Sequence, residues 1–421
     1  HYSPQMLRKP LSSNMKLPKA SHQEEQPFLN ETSKSVRIAL ENLSQAPSLK
    51  SKYASRTPSS FLRRLWSNTL VRWLLLVGVL LFVFVFGSKY YSNIPTEGFH
   101  VSEIPELDFT LDNLISASIG LSVMAAEKIN DVKAKHAEHT DIKGKTHEGV
   151  EEPVTEADRE SNYVIINGLR TLFKKSRAIG NENGEHDISF DIISEETSPS
   201  FEEIVPTLEY IDGVKGGDRL LDPAKISLIV DPLDATKEFT EETDVDGTNM
   251  LPYVTTLICI VEDETPIAGI IGRPFVQNEP IMWGVATAEE HQLHGVSKAD
   301  PDAQHENIVT VSRSHTGKGK DIVREILKKE SKPAGGAGYK SWLVLTGQAD
   351  AYIHVTAIKT WDLCAGHALL RAVGGDVTDK DGQPLKYTKG KPKFTNGLIA
   401  SLDTDKIKQY ADKLKDVTLD A

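Results

Sequence analysis

Two aspartates three residues apart close an apolar run in IVDPLDATKEF, Ile229–Phe239. A strand that runs straight into Asp231-Pro232-Leu233-Asp234-Ala235-Thr236 can turn both carboxylates toward one point. Pro232 stiffens that turn, and the Leu233 carbonyl is freed from any ladder. Oxygen donors so placed suit a hard cation such as Mg²⁺. Taken alone, an ordinary strand-to-turn transition with solvated acids accounts for the same residues. Three further sites carry acids in comparable places. The segment ISEET sets Glu195 and Glu196 at the end of another apolar strand, Asp158 falls in the first turn of a helix, and Trp361-Asp362 opens a helix. Each has a separate structural explanation: a solvated pair, a capping acid, an acid favoured by the helix dipole. Their joint occurrence in this order points to a single cation-dependent centre.

The elements that must hold these groups are legible in period and punctuation. Leu111, Leu114, Ile115, Ser118, Ser122, Ala125 and Ile129 follow helical spacing, with Thr110 as N-cap. A second helix starts at Thr155, where Thr155-x-x-Asp158 has the form of a capping box, with Ile165, Leu169, Leu172 and Phe173 on its apolar face. Strands are predicted over Phe190–Ser194, Ile226–Val230, Val254–Val261, Ile267–Ile271 and Ile308–Val311. Between them Thr197–Lys225 is rich in Pro, Gly and charge and reads as a surface loop. Helices fit Asp321–Lys329, Tyr339–Thr346 and Trp361–Val373, the last preceded by a strand at Ala351–His354 and ended by Gly374-Gly375. Antiparallel-looking runs come first and α/β order follows.

The chain has 421 residues, 39% hydrophobic and 26% charged, enough for one large catalytic domain with appendages. Its net charge of −12 excludes a general nucleic-acid binder. The charge is uneven: residues 1–72 hold 12 Lys/Arg against 4 Asp/Glu, leaving 36 against 56 in the remainder. A body this acidic receives a phosphate ester only where bound cations reverse the local sign. Residues 1–69 are Ser-, Pro-, Lys- and Gln-rich and are predicted to be a disordered basic tail. Trp73–Gly87 contains no charge. At 1.5 Å per residue it spans about 22 Å, and Leu70, Val71 and a snorkelling Arg72 extend it toward a core of about 30 Å. Residues 70–91 are therefore expected to be a single-pass anchor. The basic excess before it keeps the tail cytoplasmic and puts a stem (92–109) and the body (110–421) in the lumen. Cys259 and Cys364 lie in apolar or small-residue surroundings and are expected to be free, packed thiols.

The order TEAD (155–158), SEE (194–196), DPLDAT (231–236) and WD (361–362), closed by AGHALLRAVGGDVTD, resembles the inositol monophosphatase superfamily from about Thr110 onward. The resemblance implies a layered α-β-α-β-α sandwich of mixed α+β and α/β character, with an α+β metal-binding part (110–300) and an α/β part (301–421). It also implies a lithium-sensitive, Mg²⁺-dependent phosphomonoesterase holding two or three ions. Glu195, Asp231 and the Leu233 carbonyl would hold one ion; Asp231, Asp234 and Asp362 would hold a second. Asp158 and the Thr236 hydroxyl would orient and deprotonate the attacking water, with Thr155 a cap rather than a catalyst.

Two further segments, VSRSHTGK (311–318) and GGAGYK (335–340), resemble the adenosine bisphosphate phosphatase branch. There Ser312, His315, Gly336 and Lys340 would contact the nucleotide, Lys340 by neutralising its 5′-phosphate. A solvated His315 and a plain glycine loop remain the alternative accounts, and Arg313 and Lys318 fit solvated positions equally well. Together with a membrane-spanning leader, this resembles the Golgi-resident members of that branch. They clear adenosine 3′,5′-bisphosphate, the by-product of luminal sulfotransferases, and so support sulfation. An inositol phosphate phosphatase of the same fold is the rival expectation. A catalytically inactive, tethered nucleotide-binding protein is another, against which the intact acid set speaks.

Overall fold

The computed structural model describes residues 107–135, 139–145, 151–197, 200–204, 217–243, 246–297, 307–313 and 318–418. The chain divides into two units, His1–Gly98 and Phe99–Ala421, and the described residues all belong to the second. The expected basic tail, the anchor at 70–91 and His315 lie outside the described residues. Among those described, no helix is long and apolar enough to cross a membrane.

Helix α1 (Leu111–Ala134) starts where the sequence places it, with the Thr110 hydroxyl accepting the Asn113 N–H at 3.3 Å. An antiparallel pair, β1 (Asp141–Lys145) and β2 (Glu151–Val154), leads into α2 (Glu156–Phe173). Next come β3 (Asp191–Ser194), β4 (Ile226–Asp234), the short α3 (Thr236–Glu241), β5 (Thr255–Glu262), β6 (Thr265–Gly272), β7 (Ile281–Ala286) and β8 (His291–His294). These six strands form one sheet in sequence order, with β3 and β4 parallel and every later neighbour antiparallel.

After β9 (Ile308–Ser312), α4 (Gly319–Asp321) continues as a π-helical turn over Ile322–Leu327 and leads to β10 (Glu330–Ala334). There follow α5 (Ala337–Leu345), β11 (Ala351–His354), β12 (Ile358–Lys359), α6 (Thr360–Arg371), β13 (Asp376–Thr378), β14 (Lys393–Phe394), β15 (Leu398–Ser401) and α7 (Thr404–Leu414). The second sheet has the order β10-β9-β11-β15-β13.

Five layers result. Leu114, Ile165, Leu169 and Phe173 of α1 and α2 bury one face of the first sheet against Leu228, Val230, Ile258 and Ile270. Ile229, between Leu228 and Val230 on β4, points the other way, into a core shared with Leu343 of α5, Leu363 and Ala368 of α6, and Tyr352 and Ala400 of the second sheet. This is strand alternation with both faces buried, which is why the run looks continuously apolar. Ile322 and Val323 on one side and Tyr410 and Leu414 of α7 on the other close the far face of the second sheet over Val309 and Ile353. The α-β-α-β-α expectation holds.

Helix α6 lies unusually close to the first sheet. Ile229, Cys259, Gly269 and Gly284 stand opposite one another on β4 to β7, a transverse row of mostly small residues. A Cβ at Gly269 would overlap the Ala365 carbonyl of α6, and one at Gly284 would sit 3.0 Å from Leu369 Cδ2. Cys364, next to Ala365, meets Cys259, and the two form a disulfide with Cα atoms 5.7 Å apart. This corrects the expectation of two free thiols. The local sequence around each cysteine is merely apolar; only the seating of α6 on β5 brings them together.

The cross-link spans 105 residues of sequence, and linking positions that far apart contributes about 2–4 kcal/mol. A non-reducing digest should therefore yield a Cys259–Cys364 linked peptide, and C259A/C364A should melt several degrees below the parent. An unchanged melting temperature would show that the bond adds no stability.

Candidate active site

Strands β3 and β4 run parallel with Ser194 opposite Val230, and the Glu195 N–H donates to the Val230 carbonyl at 3.0 Å. Glu195 therefore leaves its strand beside Asp231. Strand β4 pairs with β5 as far as Asp231, then bulges and pairs again at Asp234 opposite Thr255. A bulge re-aims the side chains on either side of it. Here Asp231 Oδ1 accepts the Leu233 N–H at 3.1 Å. The chain then turns through Ala235 with φ 73°, a left-handed conformation costing a non-glycine residue about 1–2 kcal/mol, and Thr236 opens α3.

Asp158 and Asp362 are positioned by one repeated device. Each is the third residue of its helix, α2 or α6, and each carboxylate reaches back to the N–H preceding that helix: Thr155 at 2.7 Å, Lys359 at 3.3 Å. This is the returning half of a capping box, and it sets a negative charge against the positive helix end. Thr155-x-x-Asp158 announces itself in the sequence. Lys359 is no usual N-cap, so the second instance is hidden.

Glu195, Asp231 and Asp362 bring carboxylate oxygens within 4.8 Å of one another. Asp234 stands beside this group without joining it; its Oδ2 accepts the Thr255 hydroxyl at 3.0 Å and the Gly338 N–H at 2.8 Å. The Thr236 hydroxyl lies 3.0 Å from Asp158 Oδ1 and 3.2 Å from the Leu233 carbonyl, and donates to one of the two. Asp158 Oδ2 accepts both the N–H and the hydroxyl of Thr155. Asp158 and Asp231 are each 1% exposed. Burial lifts Asp158 to about 7, against the Thr155 hydrogen bonds and with added repulsion from Glu195 and Glu196. Burial, then the charges of Glu195, Asp234 and Asp362, pushes Asp231 well above the carboxylate range. Asp362 rises for the same kinds of reason.

These are hard oxygen donors, convergent around the buried Asp231, whose mutual repulsion a cation would remove, so the residues fit a Mg²⁺ site. One cation already answers part of the charge: Lys143 Nζ lies 2.6 Å from Glu195 Oε1 and 2.5 Å from Glu196 Oε1. Lys143 sits on the exposed strand β1, whose polar sequence offers no signal of this role.

Of the expected nucleotide contacts, Ser312 ends β9 opposite Ala334 of β10, while His315 is not described. Gly336 precedes α5 with φ 62°, and a Cβ there would lie 2.8 Å from the Tyr253 carbonyl and 3.0 Å from Asp234 Oδ2. Only glycine suits both the backbone and the space. Lys340 is 4% exposed, and its Nζ donates to the Gly336 carbonyl. Burial lowers its pKa, while the charges of Asp234, Glu238 and Asp362 oppose that. Lys340 thus backs the acids from behind the glycine turn. Arg313 is not solvated: its Nε donates to Glu238 Oε1 at 3.0 Å, and it also pairs with Glu241. Glu238 in turn fills the space over Gly335. Two ties, Asp234 to Gly338 and Glu238 against Gly335, seat the GGAG turn on the acid-bearing segment.

The sequence profile of the inositol monophosphatase family matches residues 110–414. A putative inositol monophosphatase 3 of Drosophila pseudoobscura pseudoobscura is 34% identical over 72% of this chain and 81% of its own. The human Golgi-resident adenosine 3′,5′-bisphosphate 3′-phosphatase is 31% identical over 69% of this chain and 77% of its own. The crystal structure of extragenic suppressor protein suhB from Bartonella henselae shares the fold, with a TM-score of 0.50 at 19% identity over 73% of this chain and 100% of that one. The chain belongs to the inositol monophosphatase family.

The raised carboxyl groups have a consequence for stability. A carboxyl that folding pushes up holds its proton in the folded state and loses it in the unfolded one, so stability falls as pH rises through that window. For Asp158 the window runs from 3.8 to about 7. Metal-free protein should lose thermal stability across it, and added Mg²⁺ should raise the melting temperature more at pH 8 than at pH 5. An equal Mg²⁺ effect at both pH values would count against a cation relieving these acids.

Proposed function

We propose that this family member is a Mg²⁺-dependent phosphomonoesterase that hydrolyses adenosine 3′,5′-bisphosphate to AMP and phosphate. The observation that carries the phosphatase reading is the Thr236 hydroxyl, 3.0 Å from Asp158 Oδ1 and next to the convergent Glu195, Asp231 and Asp362. Glu195, Asp231 and Asp362 would hold the metal, with Asp234 and the Leu233 carbonyl completing the set. A bound Mg²⁺ supplies the positive charge that phosphoryl transfer to water needs and that this acidic body otherwise lacks.

The remaining work falls to the chain's own groups. Oδ2 of Asp158 is fixed by two donors from Thr155, which leaves Oδ1 to receive a proton through Thr236. Burial, the largest cause of the raised Asp158 carboxyl, increases its proton affinity above that of an ordinary carboxylate, which suits it to accept that proton. Water attacks phosphorus, its proton passes by way of Thr236 to Asp158, the bond from phosphorus to the ribose 3′-oxygen breaks, and that oxygen takes a proton from solvent water to leave as the 3′-hydroxyl of AMP.

The substrate rests on the glycine turn. At Gly335 and Gly336, Glu238, the Tyr253 carbonyl and Asp234 take the space a side chain would need, which seats the turn's backbone directly beside the acid site, where it would meet the nucleotide. Ser312 and His315 would add contacts from the neighbouring segment. The human relative named as an adenosine 3′,5′-bisphosphate 3′-phosphatase supports this reading. The fly relative, named as an inositol monophosphatase, supports an inositol phosphate as the second reading. The Golgi-resident name of the human relative also supports a Golgi location; there the uncharged run within residues 70–91 would be the single-pass anchor, with the catalytic body in the lumen.

Phosphate release from the two substrates by the purified protein with Mg²⁺ decides between them, and preference for inositol 1-phosphate would sink the nucleotide assignment. D231N should abolish turnover, and T236A should lower kcat by roughly 100-fold or more. Wild-type activity in D231N would refute the metal assignment. Protease treatment of intact Golgi vesicles should spare residues 110–421; their digestion would refute the luminal placement.

A further inference from the structure

Two lysine or arginine side chains are buried among the described residues, Lys340 and Arg273. Lys340 is committed to the carbonyls and acids behind the glycine turn. Arg273, 6% exposed just after β6, makes no ion pair with an acid among the described residues. Its backbone N–H donates to the Pro280 carbonyl at 2.7 Å, but its Nε is buried without an acceptor. Glu279, whose charge reaches it, makes no ion pair with it and accepts the Ser297 hydroxyl instead. The guanidinium lies 4.3 Å from the centroid of the Trp342 ring. A cation over a ring recovers only part of the cost of burying an unpaired guanidinium. Burial accordingly pulls Arg273 down from its ordinary value.

Its location connects it to the acid site. Asp234 stands opposite Thr255, and Thr256 stands opposite Gly272, so Arg273 follows in line with Thr255. Asp234 and Arg273 are thus at the same end of the sheet, two strands or roughly 10 Å apart. Helix α5 bridges that interval: Gly338 donates to Asp234, and Trp342, one turn later, lies against Arg273. Between them Tyr339 packs on Tyr253, ring centroids 4.5 Å apart, and the Tyr253 carbonyl adjoins Gly336.

We propose that Arg273 is the subsite for the second, non-reacting phosphate of a nucleoside bisphosphate, a role that rests on the nucleotidase reading above. With its Nε buried and its guanidinium carbon 4.3 Å from the Trp342 ring centroid, Arg273 would meet phosphate oxygens through its two terminal nitrogens. The ester phosphate is held at the acids and the other phosphate reaches along the sheet end to Arg273. The occupant supplies the acceptors that the fold withholds from this side chain.

The test compares adenosine 3′,5′-bisphosphate with adenosine 3′-monophosphate, which lacks the second phosphate. Losing charged hydrogen bonds to a phosphate should cut kcat/KM of R273A on the bisphosphate by about 10- to 100-fold, through KM, and far less on the monophosphate. R273K should recover part of the loss. Equal losses on both nucleotides, or none on either, overturn the proposal.

A second readout needs no turnover. In EDTA, 5′-AMP should change the tryptophan fluorescence of the wild type saturably, with adenosine inert, and W342F should lose the signal. R273A, checked by circular dichroism for an intact fold, should no longer respond; a response equal to the wild type's overturns the subsite. If the wild type instead prefers inositol 1-phosphate, the nucleotidase reading fails, and the 5′-AMP titration still decides Arg273 by itself.

Discussion

Asp158, Asp231 and Asp234 are buried with the half-buried Asp362 and Glu195 beside them, and much of the architecture answers the repulsion this creates. Like charges 4–5 Å apart repel by roughly 3–4 kcal/mol at an effective dielectric constant of about 20. A domain's whole stability is only about 5–15 kcal/mol, so these groups cannot all ionise together without countercharge. The fold supplies some of it. Asp158 and Asp362 sit at the positive ends of α2 and α6, Lys340 faces the group from behind, and Lys143 bridges Glu195 and Glu196 in front. Burial first, and repulsion among the acids after it, still leaves Asp158, Asp231 and Asp362 raised, so this provision does not offset both. A divalent cation held by Glu195, Asp231 and Asp362 would make up the shortfall.

Holding the acids in place is a packing problem, solved far from the acids themselves. Asp362 can meet Asp231 only if α6 lies hard against the first sheet. Glycines 269 and 284 remove the side chains that would hold the helix off. The Cys259–Cys364 disulfide then ties β5, the neighbour of the strand bearing Asp231, to the helix bearing Asp362. Because α6 also covers the second sheet, the middle layer of the sandwich transmits the spacing of both sheets to the acid group. The chemistry at the sheet end therefore depends on close packing in the interior, where a one-methyl change at Gly269 would be felt.

The chemistry was legible where local sequence carries it. A buried run ending in DPLDAT, a capping box at Thr155, and helical spacing from Leu111 each follow from short-range rules, and the structure keeps all three. Strand β4 runs on to Asp234, beyond the predicted end at Val230, because the bulge preserves pairing with β5 through a sequence that reads as a turn. Strand β10, ESKPA, gave no signal because a sheet-edge strand tolerates a lysine and a proline. The spacing of Ile407, Tyr410, Ala411 and Leu414 in α7 is plainly helical, yet that helix was not among the expected elements. What short-range rules cannot supply is pairing between distant segments. Cys259 with Cys364, Arg313 with Glu238, and Lys143 with Glu195 are all of this kind.

The glycine turn and the acid cluster are coupled at one carboxylate. Asp234 belongs to the acid-bearing turn, yet its Oδ2 is committed to Thr255 of β5 and to the Gly338 N–H that begins α5. The glycine turn is thus hydrogen-bonded directly to the segment that leads into Thr236. Arg313 and Glu238 fasten the same two regions a second time, from the β9 side. A ligand that displaces the turn must move Asp234, and a cation that draws in Asp234 must move the turn. Sequence variation in the turn is therefore confined to the positions that the acid-bearing segment tolerates. A shared phosphatase centre combined with divergent substrates, as the names of the relatives suggest, is the pattern such a linkage would produce.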